Sequence, residues 1–111
     1  MKLQPIVYTE DMKSAVDFYG AVLGSEPAYQ SDMWTAFDVA GATLGVHRVD
    51  TLPERGRVEL SLVATEPLEA VVERLAGRGI DPTRGIADET FGRSIVLEDP
   101  DGAPLQVNEH H

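Results

Sequence analysis

Few residues of this sequence are able to do chemistry. Cysteine is absent, which excludes a thiol nucleophile, a zinc knuckle, an iron–sulfur centre and a disulfide framework. The histidines are His47, His110 and His111. The last two stand at the C-terminus, where a mobile end or the remnant of a purification tag is expected. A non-haem iron site needs two histidines and a carboxylate, so it is poorly served. His47 suits a ligand or a general base, and equally a strand imidazole hydrogen-bonded to a neighbour. Glu59 suits a ligand, a base or the anchor of a cationic guest. Its structural alternative is a strand carboxylate paired with Arg57. Tyr8 and Trp34 offer ring faces to a planar or cationic guest, although Trp34 would also serve as a lid on a sheet edge. Phe91, beside Gly92 in what reads as a longer loop over residues 84–91, is either a gate or a hydrophobic plug.

Composition narrows the classes. The chain has 111 residues, with 9 Lys and Arg against 19 Asp and Glu, giving a formal charge of −10. Such a surface repels a phosphate backbone, so no nucleic-acid partner is expected, and neutral or cationic partners are favoured. No apolar run is long enough to span a membrane. A cysteine-free chain with no secretory signature is expected in the cytoplasm. Two glycine-containing motifs are structural. Asp99-Pro100-Asp101-Gly102 is a turn closed by Asx hydrogen bonds and lacks the ligand ladder of a calcium loop. Gly77-Arg78-Gly79 ends a helix instead of opening one, so it is no phosphate cradle.

The elements that must position these residues follow from periodicity. Residues 3–9 read as a strand, with Pro5 near its start. A helix follows, capped by Asp11, with Met12, Ala15, Val16, Tyr19, Val22 and Leu23 as its apolar stripe and Gly24 as its left-handed stop. Three strands are expected over 26–32, 34–39 and 42–49, the last two joined at Gly41. Residues 50–56 form a connector. A strand over 58–63 precedes a second helix, which carries Leu68, Val71, Val72 and Leu75 and is closed by Gly79. Three more strands fall near 80–87, 94–98 and 104–108. Strand, helix and three strands therefore occur twice. Gly24-Ser25-Glu26-Pro27 and Gly79-Ile80-Asp81-Pro82 end the two helices at a common offset, as expected of a duplicated unit.

The order of these pieces carries a resemblance. Pro5-Ile6-Val7-Tyr8-Thr9-Glu10-Asp11-Met12, then Phe18-Tyr19 with Val22-Leu23-Gly24, and finally Glu98-Asp99-Pro100-Asp101-Gly102 to Leu105 resemble the vicinal oxygen chelate superfamily. That superfamily includes glyoxalase I, extradiol dioxygenases and bleomycin-resistance proteins. The resemblance implies an α+β fold of two tandem βαβββ modules whose mixed sheet forms a cup. The modules would cover about residues 1–49 and 57–109 of one domain, 1–111, with the linker at 50–56. It also implies a homodimer. Alternation along the strands then sends Gln4, Ile6 and Tyr8 into the cup, with Thr43, Gly45 and His47, with Glu59 and Ser61, and with Gln106 and Asn108. On the strand of Trp34, Ala36 and Asp38 share its face if Phe37 and Val39 face the helix. Family metals would sit at Gln4, Gly45, Glu59 and Gln106, with His47 as a substitute for Gly45. One carboxylate, two carboxamides and a glycine make a poor divalent site, so no cofactor is the leading expectation. The resemblance then implies a metal-independent small-molecule binding or sequestration protein of the bleomycin-resistance type, with a cationic or aromatic antibiotic as its guest and Tyr8, Trp34, His47, Glu59, Ser61, Gln106 and Asn108 lining the site. The alternatives are a glyoxalase-like lyase or isomerase around a divalent metal, and an interaction module with no guest.

Overall fold

The computed structural model describes residues 1–54 and 56–111; Arg55, within the expected connector, lies outside them. Nine strands and two helices make an α+β fold: β1 (Lys2–Leu3), β2 (Ile6–Thr9), α1 (Met12–Leu23), β3 (Tyr29–Gln30), β4 (Trp34–Val39), β5 (Ala42–Arg48), β6 (Val58–Val63), α2 (Leu68–Ala76), β7 (Arg84–Glu89), β8 (Gly92–Glu98) and β9 (Pro104–His110). The chain divides into two compact units. One is Gln4–Glu59, and the other is Met1–Leu3 with Leu60–His111.

In the first unit β2 runs parallel to β5, which pairs antiparallel with β4, which pairs with β3. The start of β6 lies antiparallel to β2, with Ile6 opposite Glu59. Asp11 begins α1 by accepting a 3.1 Å bond from the Ser14 amide, and Gly24, at φ 66°, ends it. Its stripe buries Met12 and Val16 against Phe37 and Val46, with Ala15, Tyr19, Leu23, Val39 and Leu44 around them. Complete burial of Phe37 contributes about 1.5–3 kcal/mol. Val22 departs from the expected stripe and is exposed beside Phe18. At 100° per residue the core side of the helix is already filled by positions 12, 16, 19 and 23. The β4–β5 turn needs left-handed backbone at Ala40 and Gly41, as a tight hairpin does.

The second unit repeats the pattern. Its part of β6 runs parallel to β9, which pairs antiparallel with β8, which pairs with β7. The short β1 pairs with β6 as well. Leu68, Val71, Ile95, Leu97 and Val107 form the core, and Leu62, Val72, Leu75 and Leu105 pack against it. At the turn before β9, Asp99 Oδ1 accepts 2.9 Å bonds from the amides of Asp101 and Ala103.

Several expected boundaries are corrected. The strand over 3–9 breaks at Gln4 and Pro5, because Pro5 has no N–H to donate; its carbonyl instead accepts from Gly45 N at 2.9 Å. The strand over 26–32 shrinks to Tyr29–Gln30: Pro27 has no N–H for a ladder at its start, and at its end Ser31 turns back, its N–H and hydroxyl both donating to Trp34 O at 2.9 Å. The second helix stops at Ala76, with Gly79, at φ 77°, two residues past its cap. The strand expected near 80–87 runs over Arg84–Glu89 as β7, so the expected longer loop over 84–91 reduces to a two-residue turn, and Phe91 sits in that turn with its ring 5.3 Å from that of His110. His110 itself belongs to β9, and His111 N donates to Phe91 O at 3.0 Å. His110 is therefore paired with Gly92 in the β8–β9 ladder, and His111 is tied to the turn that precedes β8.

Candidate functional site

The first unit gathers four of the expected residues. On β4, Thr35 and Phe37 are buried on the helix side, and Thr35 Oγ1 donates to Met12 Sδ at 3.3 Å. Period-two alternation therefore sends Trp34 to the other face. On β5, Leu44 and Val46 pack on the helix side, which places Gly45 and His47 with Trp34. Register pairs His47 with Trp34 on one side and Tyr8 on the other. The ring centroids are 6.1 Å apart for Trp34 and His47, and 5.7 Å for Tyr8 and His47, both within the range of aromatic contact.

Gly45 explains how the indole fits. A Cβ on Gly45 would lie 2.2 Å from Trp34 Cη2 and 2.7 Å from Cζ2. The six-membered ring of Trp34 thus occupies the space that any side chain at position 45 would need. Trp34, His47 and Tyr8 form a half-buried row of rings across β4, β5 and β2.

Glu59 closes the row. It sits one diagonal step from Tyr8 across the β2–β6 ladder, and the Tyr8 hydroxyl donates to its Oε2. Burial, then the hydrogen bond to Glu59 and the charge of Glu59, push the Tyr8 phenol well above its ordinary pKa. The phenol is therefore a fixed donor across the physiological range. The alternative partner of Glu59, Arg57, makes no ion pair with it among the described residues. Gln4 is buried at the β1–β2 break.

The second unit holds Ser61, Gln106 and Asn108. Ser61 pairs with Gln106 in the β6–β9 ladder, and Asn108 Nδ2 donates to Gln106 Oε1 at 3.1 Å. Ser61 and Asn108 are buried, and Asn108 Oδ1 has no hydrogen-bond partner among the described residues. Opposite Asn108 stands Ser94 of β8. Ser94 Oγ accepts from Arg84 Nη2 at 2.6 Å and donates to Glu89 at 2.9 Å. Sequence reasoning missed this trio. The signal was the 99–102 turn: it pairs Glu98 with Pro104, and counting back along β8 brings Ser94 opposite Asn108.

The family-type metal positions show the following. Glu59 Oε2 is taken up by Tyr8, Gln106 Oε1 accepts from Asn108, and the indole fills the side-chain space of position 45. Among the described residues no three His, Asp or Glu side chains are grouped so as to hold a metal ion. A groove of about 500 Å³ runs along α1, lined by Asp17, Gly20, Gly24, Glu26 and Gln30. None of Tyr8, Trp34, His47 or Glu59 lines it.

Paired βαβββ units with a ring-lined face define a glyoxalase-like protein of the vicinal oxygen chelate type, and comparison with known proteins agrees. The model of the glyoxalase-like domain matches residues 5–108, so the chain belongs to that family. It is 22% identical to the phenazine antibiotic resistance protein EhpR of Enterobacter agglomerans, over 92% of this chain and 86% of that one. A glyoxalase/bleomycin resistance protein/dioxygenase superfamily member from Vibrio splendidus superposes with a TM-score of 0.68 at 17% identity, over 97% of both chains. A Legionella pneumophila protein described as an NAD-dependent benzaldehyde dehydrogenase superposes with a TM-score of 0.76 at 19% identity, over 98% of this chain and 99% of that one. These superpositions show the fold alone. Among the described residues no helix is long and apolar enough to cross a membrane.

Proposed function

We propose that this protein binds and sequesters a small planar aromatic molecule without the help of a metal, as a resistance-type member of its superfamily. The observation that carries the reading is the Trp34 indole laid over Gly45 beside His47 and Tyr8. A row of half-buried rings supplies apolar area with little rotamer entropy to lose, which is what a flat guest needs. The relative named for phenazine resistance supports a flat, tricyclic guest. In this reading the protein works in the cytoplasm as a dimer.

The donor set does not suit a divalent ion. Such an ion favours several carboxylates or imidazoles with free lone pairs. Here the one carboxylate, Glu59, and the Gln106 carboxamide already accept protein hydrogen bonds, and position 45 has no room for a ligand. These occupied acceptors favour the metal-free reading over the metal-dependent lyase or isomerase. The test is quenching of Trp34 fluorescence by phenazine in the presence of a chelator. Saturable quenching is expected, weakened several-fold in His47→Ala, which leaves the fluorophore in place. Quenching that never saturates, or that His47→Ala leaves untouched, would overturn the reading.

A further inference from the structure

This inference rests on the aromatic reading above and concerns the charge of the guest. Four other glutamates that carry ion pairs do so with arginine: Glu66 with Arg74, Glu69 and Glu109 with Arg93, and Glu89 with Arg84. Glu59 is half-buried and has no such partner among the described residues. Among the described residues its hydrogen-bond partner is a neutral phenol, which donates a hydrogen bond and brings no charge. A partly desolvated carboxylate without a counter-charge is unfavourable, and a cation placed beside it recovers that loss. The neighbouring groups add to the preference. Ring faces such as those of Tyr8 and Trp34 attract cations, and a chain of net charge −10 raises their local concentration.

We propose that Glu59 is the counter-charge for a cationic ring, so that the site takes nitrogen heteroaromatics in their protonated or quaternised form over their neutral form. Tyr8 holds the carboxylate through Oε2, leaving Oε1 to face the guest.

The test compares two probes of nearly the same shape, neutral acridine and permanently charged N-methylacridinium, titrated into the full chain at mildly alkaline pH with Trp34 fluorescence as readout. The wild type should bind the charged probe at least about tenfold more tightly. Glu59→Gln keeps an oxygen acceptor for Tyr8 and should bring the two affinities together, chiefly by weakening the cation. Tyr8→Phe keeps the charge and should keep the preference. Equal affinity of both probes for the wild type would overturn the inference while leaving the aromatic reading intact. Binding of neither probe would overturn both. A preference that survives Glu59→Gln but disappears in Tyr8→Phe would assign the selectivity to the phenol and sink the role of Glu59.

Discussion

Gly45→Ala is the sharpest perturbation of the ring-lined face. The backbone at position 45 is one that any residue adopts, so the substitution introduces no strain of its own. The added methyl would lie 2.2 Å from Trp34 Cη2, where an ordinary carbon contact is about 3.5–4.0 Å. The outer ring of the indole must therefore lift by about 1.5 Å. Losing about a third to a half of the roughly 150–250 Å² that an aromatic side chain buries, at about 25 cal/mol per Å², destabilises by about 2 kcal/mol. Replacing glycine in a strand offsets roughly 0.5–1 kcal/mol of that. The net loss of about 1 kcal/mol should lower the melting midpoint by about 4–8 °C. The chain has a single tryptophan, so its emission reports this one ring and should shift to the red as the indole meets water. Phenazine quenching should weaken in parallel. Unchanged emission together with an unchanged melting curve would show that the indole does not lie over Gly45, and the account of the site would fail with it.

Two other expectations follow from the ionisable groups. The Tyr8 phenol is raised in the folded state, so its contribution is complete below the ordinary phenol pKa of about 10 and is lost as pH climbs towards the raised value. Tyr8→Phe should therefore flatten the alkaline fall in stability and remove the last-titrating phenolate from the ultraviolet spectrum; an unchanged titration would contradict the Tyr8–Glu59 bond. In the second unit, Arg93 donates to both Glu69 and Glu109, at 2.6–3.0 Å. Hydrogen bonds from Arg93 hold both carboxyls below their usual range. Their contribution is present above the ordinary carboxylate pKa and is lost as pH falls through the depressed values. Arg93→Met should lower the midpoint at neutral pH and lose less on acidification than the wild type does, as measured by thermal melts along a pH series.

Much of this architecture could be read from periodicity and turn chemistry, because those signals are local. Asp11 and Gly24 bracket α1 as their side-chain and backbone preferences require, and the alternation of Phe37 against Trp34, and of Val46 against His47, already separates the core face from the ring face. What could not be read depends on tertiary neighbours. The space over Gly45 belongs to a ring eleven residues earlier in sequence, so a missing side chain looked like a defective ligand position and not like the seat of an indole. The partner of Glu59 proved to be Tyr8 across a ladder whose register no local pattern reveals. The strand expected near 80–87 is displaced to Arg84–Glu89 because Gly85 and the alternating polar residues blur the pattern of a β-bulged edge strand. The same misreading hid Arg84 and Glu89 as partners of Ser94.

Calorimetric titration of metal-stripped protein with phenazine tests the central claim most directly. The account expects saturable heat with one guest per chain, unchanged by added zinc, nickel or manganese and lost in Trp34→Ala. No heat from the stripped protein, with binding or turnover restored by one of those ions, would contradict it.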